Sequence, residues 1–176
     1  AVNYGAIGMV IGHEMTHGFD DKGRLFDKEG NMKDWWTAED GERFKVRSKK
    51  LVDQFNNIVV IDTVMANGEL SLGENIADLG GLNISYTAFK NTEQFKNGAK
   101  IEGFTPEQRF FLAYAHVWAQ NIRDKEKIRL TKVDVHSLGR NRVNEPLRNM
   151  PEFHKAFGAQ QGDYMYLSNE ERAYIW

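Results

Sequence analysis

Residues 10–21 read VIGHEMTHGFDD, which places the pattern His-Glu-x-x-His inside a mostly apolar, helix-compatible stretch. On an α-helix, residues four apart lie nearly one above the other, so His13 and His17 project from the same face. Two imidazoles placed in this way can bind one Zn²⁺ ion, and Glu14 then points towards a metal-bound water. A helix that carries two histidines without any metal is the alternative, because short motifs recur by chance.

Length and composition restrict the class of protein. The 176 residues are enough for one domain with a substantial core, and the 41% hydrophobic and 12% aromatic content is typical of a globular chain. The net charge of −2 argues against a nucleic-acid or anionic-membrane surface, and no apolar run approaches the ~20 residues of a membrane span. Without cysteine, any Zn²⁺ must be held by histidine and carboxylate. The chain begins with Ala1, so we expect a piece processed or cut from a longer protein.

A second motif, LGENIADLGGL, occupies residues 72–82, and its apolar residues predict a buried helix that continues to about residue 89. Glu74 and Asp78 are four residues apart and therefore lie on one face of this helix, beside its apolar stripe. Two carboxylates there repel each other unless a positive charge lies nearby, and a Zn²⁺ ion with its histidines would supply that charge. A solvated acidic edge is the alternative interpretation.

Together, the two helices meet the requirement of a catalytic zinc site, which is three protein ligands and an open position for water. The predicted ligands are His13, His17 and Glu74. Asp78 is expected to accept the free ring N–H of a ligand histidine and so to fix its tautomer. Glu14 is the predicted general base, which takes a proton from the zinc-bound water and passes it to the leaving nitrogen of a peptide bond.

The rest of the sequence predicts further helices around these motifs. The run from residue 3 to about residue 19 is apolar on nearly all sides and predicts a buried helix. Thr37 is a suitable N-cap for a helix over about 38–57, Thr105 begins one to about residue 123, and a short one is expected around 151–157. Residues 58–61 suit a strand or extended connector, 90–104 a surface loop and 124–132 a solvated charged stretch. The pair Trp35-Trp36 is expected to anchor the core, with ligand stacking as the alternative.

These motifs resemble those of the neprilysin-like zinc metallopeptidases, family M13, and of its bacterial PepO-type members in particular. The resemblance covers essentially the whole chain. It is carried by GMVIGHEMTHGFDD at residues 8–21, GENIADLGG at 73–81, DVHS at 134–137, Arg142 and Trp176. It implies a mainly α fold, the helical part of a thermolysin-like (gluzincin) metallopeptidase catalytic domain, with at most a marginal sheet. Residues 1–176 are then expected to form the C-terminal part of that domain.

The resemblance implies a zinc-dependent endopeptidase that hydrolyses small peptides on the amino side of hydrophobic residues. It assigns one Zn²⁺ per chain to His13, His17 and Glu74, the role of catalytic base to Glu14, and the orientation of a ligand histidine to Asp78. The alternatives are a structural zinc module and a zinc-binding but catalytically weak fragment. Glu14 argues against the structural module, because a structural site is normally closed by a fourth protein ligand.

Further roles rest on the resemblance alone. Asp20 is expected to act as an additional acid behind the ligands, His136 to donate to the oxyanion of the tetrahedral intermediate, and Arg142 to bind a substrate carbonyl on the primed side. Four residues are expected to line the hydrophobic pocket for the residue after the cleaved bond: Met9, Val10, Val117 and Trp118.

The chain also departs from the family pattern. The Asn-Ala-(Tyr or Phe) strand that holds the substrate backbone lies upstream in the family and is not in this sequence, nor is the large part that caps the active site. The paired C-terminal cysteines of the animal enzymes are absent, which suggests a bacterial member, and Leu138 stands where proline is usual. The expected partners are small peptides and the upstream part of the same parent protein, without nucleic acid or membrane insertion by this segment. The resemblance implies a periplasmic, secreted or cell-surface location, with the cytoplasm as the alternative.

Overall fold

The computed structural model describes all 176 residues and consists mainly of helices, which confirms the predicted fold class. The α-helices are α1 (Met9–Thr16), α2 (Ala38–Asn56), α3 (Leu72–Lys90), α4 (Glu93–Asn97), α5 (Pro106–Val117), α6 (Asp124–Val133), α7 (Gly139–Arg148) and α8 (Pro151–Phe157). The only sheet pairs β1 (Val59–Ile61) with β2 (Val64–Met65) in antiparallel register. A π-helical turn at Tyr4–Gly8 precedes α1, and 3₁₀ turns follow it at His17–Phe19 and Gly23–Leu25.

Capping interactions set the starts of the longer helices. The Thr37 side chain accepts a hydrogen bond from the backbone N–H of Asp40 at the start of α2. Thr105 and Gln108 form a reciprocal capping box at the start of α5, where Pro106 occupies the first turn. These side chains satisfy backbone groups that have no partner within the helix. The starts of both helices lie where the sequence predicts them.

Helix α3 lies at the centre of the molecule and is buried on most of its circumference. It contributes several residues to one hydrophobic core of 17 buried side chains, to which α2, α5, α7 and α8 also contribute. On its other side it packs along α1, the helix that carries His13. The central position of α3 therefore fixes Glu74 and Asp78 against the first motif.

Glycines allow α1 and α3 to touch backbone to backbone. A Cβ added to Gly81 would lie 2.6 Å from the backbone nitrogen of His13 and 2.7 Å from the carbonyl oxygen of Met9. A Cβ on Gly12 would lie 2.9 Å from the Cα of Gly81. Such distances are too short for real side chains, so only glycine permits this approach.

The helices of the second half of the chain differ in part from the prediction. Helix α5 ends at Val117 instead of about residue 123, because Trp118 leaves the helical path and its backbone packs against the start of α7 at Gly139. Helix α7 itself was not predicted, because it has few apolar residues, contains Pro146 in its interior and buries the polar side chains of Asn141 and Glu145. The expected surface loop at 90–104 contains the short helix α4. The charged residues 124–132 lie in helix α6, which has no buried residue, as expected for a solvated stretch.

The first helix is less buried than its composition predicts. Ile7, Ile11 and Met15 are 58%, 56% and 62% exposed, so the prediction of a helix buried on nearly all sides is wrong. These residues are spaced by four and form one stripe, while the opposite face packs on α3. Of the tryptophan pair, Trp36 packs against Phe44 as expected for a core anchor, whereas Trp35 is half exposed.

We expect Gly81→Ala to lower the free energy of unfolding by about 3 kcal/mol, because the added methyl group would push α1 away from α3. Urea unfolding followed by circular dichroism measures this change. Gly41→Ala, in α2, is the matched control: its nearest neighbour is 3.9 Å away, so it should leave stability unchanged or raise it by about 1 kcal/mol. Equal stability of Gly81→Ala and the unsubstituted protein would contradict the close-packing argument.

Candidate metal centre

Three donor side chains from α1, the following 3₁₀ turn and α3 meet at one point. The Nε2 atoms of His13 and His17 are 3.1 Å apart. The Glu74 carboxylate lies 3.2 Å from His13 Nε2 and 3.7 Å from His17 Nε2. A ligand atom from each of the three residues lies within 4.8 Å of the other two. The structure thus brings together all three predicted ligands.

Each of the two histidines forms a hydrogen bond through Nδ1 to a carboxylate, on the side of the ring opposite the donor atom Nε2. Asp78 Oδ1 lies 2.8 Å from His13 Nδ1, and Asp20 Oδ2 lies 2.8 Å from His17 Nδ1. Because a carboxylate only accepts hydrogen bonds, both Nδ1 atoms carry the donated proton. The other Asp20 oxygen accepts from the backbone N–H groups of Lys22 and Gly23, which fixes that carboxylate in turn. This arrangement aims both Nε2 atoms towards the Glu74 carboxylate.

The donor atoms fit a bound cation. With Nδ1 protonated in both rings, neutral His13 and His17 would face each other with two lone pairs only 3.1 Å apart. Glu74 Oε2 is buried and has no hydrogen-bond partner. A cation among these atoms would remove the repulsion and satisfy the orphaned oxygen. Nitrogen atoms that share one tetrahedral Zn²⁺ lie about 3.3 Å apart, so the His₂Glu set suits this ion.

The charge distribution also favours a cation at this point. Burial by itself lowers the pKa of His13, but the neighbouring carboxylates of Asp78 and Glu74 outweigh this effect and raise the pKa to about 9. Burial raises the pKa of Glu74, but His13, His136 and His17 lower it overall. The carboxylates therefore stabilise a positive charge at His13 Nε2, which is one of the metal-facing atoms.

His136 approaches the donor group from the solvent side, and Glu14 is exposed on the helix that carries His13. His136 Nε2 lies 3.3 Å from Glu74 Oε2, while its Nδ1 lies 2.9 Å from Asp134 Oδ1. Sequence reasoning assigned Asp134 no role, although the spacing Asp-x-His was the available signal. Asp134 also accepts from the backbone N–H of His136, so it holds both the ring and its peptide unit.

Arg142 is buried behind the donor group. Its Nε and Nη2 both donate to Asp78 at 2.8 Å, which completes a chain from His13 through Asp78 to the guanidinium. The guanidinium lies 3.7 Å from the ring centre of Trp118, and Nη2 is 3.9 Å from Glu74 Oε2. Since Nε and Nη2 are already bonded to Asp78, the predicted contact with a substrate carbonyl would fall to Nη1.

The four residues predicted to line the hydrophobic pocket differ from one another in their burial. Met9 is completely buried within the hydrophobic core, and Val10 is half-buried against it. Val117 is partly exposed at the end of α5, and Trp118 is half-buried against Arg142. The pocket assignment therefore stays a prediction, and Trp118 is connected to the donor group through Arg142 and Asp78.

The chain matches known peptidases in sequence over nearly its whole length. The model of Peptidase family M13 matches residues 1–173. Human neprilysin is 42% identical over all of this chain and 24% of its own length, and Neprilysin-21 of Caenorhabditis elegans is 40% identical over 99% of the chain and 23% of its own length. The chain thus spans about a quarter of the length of these curated relatives.

Solved structures agree with these matches. The crystal structure of the Mycobacterium tuberculosis zinc metalloprotease Zmp1 with an inhibitor superposes with a TM-score of 0.92 and 38% identity, covering 99% of this chain and 28% of that one. PepO from Lactobacillus rhamnosis HN001 gives a TM-score of 0.87 and 34% identity, over 99% of this chain and 26% of that one. The thermolysin-like helical fold predicted from the motifs is the fold of these metallopeptidases.

None of the helices combines the length and the apolar character needed to cross a membrane.

The affinity for Zn²⁺ should rise with pH. A protonated His13 cannot bind a metal, and its pKa of about 9 means that Zn²⁺ must displace a proton below that pH. For one displaced proton, we expect the affinity to increase about tenfold per pH unit between about pH 6 and pH 8. Competition with a chromophoric chelator measures it. Asp53→Asn, an exposed carboxylate on α2, should keep this slope, whereas a pH-independent affinity would exclude His13 as a ligand.

Proposed function

Because the chain belongs to peptidase family M13, we propose that its residues bind one Zn²⁺ and carry out the hydrolysis of peptide bonds in small peptides. Residues 1–176 then form the C-terminal part of a metalloendopeptidase catalytic domain. The observation that supports this most strongly is the convergence of His13, His17 and Glu74, with a carboxylate behind each histidine. Three protein donors leave a coordination position open, as catalytic zinc sites do.

When bound, Zn²⁺ supplies Lewis-acid polarisation of the peptide carbonyl and of the attacking water. Glu14 projects from the helix turn that carries His13 and is exposed, so its carboxylate can take a proton from that water. The same carboxylate, once protonated, can give the proton to the leaving nitrogen. No other exposed carboxylate lies between the two histidines in the sequence, so Glu14 is the proposed general base.

His136 is the proposed donor to the developing oxyanion. Its Nδ1 is bonded to Asp134, so Nε2 can donate only when the ring carries both protons. The Asp134 carboxylate faces that positive charge and holds the ring with Nε2 towards Glu74. An aligned donor of this kind stabilises the transition state by roughly 3–4 kcal/mol.

Arg142 and the apolar residues beside it are proposed to bind the substrate. Arg142 Nη1 would donate to a substrate carbonyl while Nε and Nη2 remain bonded to Asp78. Trp118 lies against the guanidinium and would contact a hydrophobic side chain after the cleaved bond, together with the other predicted pocket residues Val117, Val10 and Met9. This arrangement would favour cleavage on the amino side of hydrophobic residues.

The proposal is tested by measuring metal content and peptide cleavage on the same sample. We expect one Zn²⁺ per chain by atomic emission, cleavage of an internally quenched peptide, loss of cleavage with chelator and recovery with added Zn²⁺. Zn²⁺ binding without cleavage would support the alternative of a zinc-binding but catalytically weak segment. Failure to bind Zn²⁺ after its addition would exclude the ligand assignment.

Glu14→Gln should retain Zn²⁺ and lose cleavage by a factor of roughly 1,000, because the amide cannot accept the proton. Metal content and kcat, measured with the same peptide, give the two readings. Glu42→Gln, an exposed glutamate on α2, is the control and should keep full activity. Undiminished cleavage by Glu14→Gln would rule out Glu14 as the base.

His136→Gln should lower kcat roughly 100- to 1,000-fold without loss of Zn²⁺, because His136 is proposed to stabilise the transition state and is not one of the three donors. The expected KM stays within about threefold of the original, since the donor acts mainly on the transition state. His116→Gln, at an exposed position on α5, should be unaffected. A proportional loss of Zn²⁺ and activity would instead identify His136 as a metal ligand.

A further inference from the structure

A buried amide connects the two halves of the proposed active site. Asn75 directly follows the ligand Glu74 on α3 and is 1% exposed, and Ser137 directly follows His136. The Ser137 hydroxyl donates to Asn75 Oδ1 at 2.9 Å. This hydrogen bond joins neighbours of a metal ligand and of the proposed oxyanion donor, which are otherwise 62 residues apart in sequence.

The amide of Asn75 is held in one orientation from its other end. Its Nδ2 donates to Ser71 Oγ at 3.0 Å, and the Ser71 hydroxyl donates to the carbonyl oxygen of Asn67 at 2.9 Å. Because the hydroxyl proton of Ser71 is used in this way, its oxygen can only accept from Asn75. Nδ2 therefore faces Ser71, and Oδ1 faces Ser137.

The segment at residues 134–138, between α6 and α7, needs such a connection. Asp134 orients the His136 ring, but it belongs to the same segment and moves with it. Leu138 bonds only to the first turn of α7, through the backbone N–H groups of Asn141 and Arg142. The Ser137–Asn75 bond is the one hydrogen bond that joins residues 134–137 to α3. The contact of His136 with Glu74, at 3.3 Å, uses a carboxylate that a metal would engage.

We infer that Asn75 is a positioning residue, which acts through Ser137 to hold His136 at a fixed distance from the metal ligands. The inference rests on the proposed function, because it assigns the distance to catalysis. Its physical basis is geometric: a displacement of about 1 Å in a transition-state donor can lower a rate up to 100-fold. Neither residue touches the substrate or the metal donors through its own side chain.

Ser137→Ala removes the hydrogen bond with the smallest change in volume. In the zinc-loaded protein, we expect kcat to fall about tenfold, with Zn²⁺ content and Tm nearly unchanged. Ser137→Thr keeps a hydroxyl and should restore kcat. Ser168→Ala, a serine of similar exposure near the C-terminus, is the matched control and should have no effect.

A double-mutant cycle separates positioning from a general structural effect. If Ser137 acts through His136, Ser137→Ala has no further effect on kcat in the His136→Ala background. The same tenfold loss in both backgrounds would overturn the inference, as would full activity of Ser137→Ala in the unsubstituted protein.

Hydrogen exchange tests the inference without any cleavage. Amide protons of residues 134–138 should exchange at least fivefold faster in Ser137→Ala than in the unsubstituted protein, while those of α3 remain protected. Unchanged exchange in residues 134–138 would overturn the inference. The unsubstituted zinc-loaded protein could be inactive while residues 134–138 still exchange faster in Ser137→Ala. That result would count against the proposed function alone, and the attachment of this segment to Asn75 would still hold.

Discussion

The close approach of α1 and α3 is the constraint on which the rest of the site depends. His13 and His17 belong to one helical segment and Glu74 to another, so their donor atoms converge only if the two backbones touch. Gly12 and Gly81 make that contact, and Gly80 accommodates Thr16 one turn further along. In this respect the glycines of GENIADLGG determine metal geometry as directly as the ligands do, although they carry no functional group.

The approach has an electrostatic consequence, because it buries several charges together. Asp78 is completely buried and contacts His13 on one side and Arg142 on the other, so each charge has a partner of opposite sign. The Arg142 guanidinium in turn lies over the ring of Trp118. Removal of Asp78 would leave the buried Arg142 guanidinium without the carboxylate to which it is bonded, which costs far more than the intact group contributes. A rigid scaffold for His13 follows from this mutual dependence.

Sequence reasoning identified the donor group because helical spacing translates directly into geometry. His13 and His17, and likewise Glu74 and Asp78, are four residues apart, and the structure places each pair as this spacing requires. Helix α7 was missed because its apolar residues are few, Pro146 lies in its interior, and its buried face includes the polar side chains of Asn141 and Glu145. The connection between Asn75 and Ser137 depends on the path of the chain between α6 and α7, and local sequence does not encode that path.

The proposed activity requires metal binding and substrate selection, and this chain contains the residues for the first more completely than those for the second. The three donors and both carboxylates behind the histidines lie within residues 13–78, so the donor set is complete here. The surface around Glu14 is instead apolar and exposed to solvent, since Ile11 and Met15 are exposed beside it on α1. An apolar stripe next to a proposed base is suited to bind another surface, whether a peptide or a further part of a protein. In the proposed function, substrate selection would therefore depend on what binds to this face, whereas the geometry of the predicted metal ligands depends on the two glycine-bearing helices.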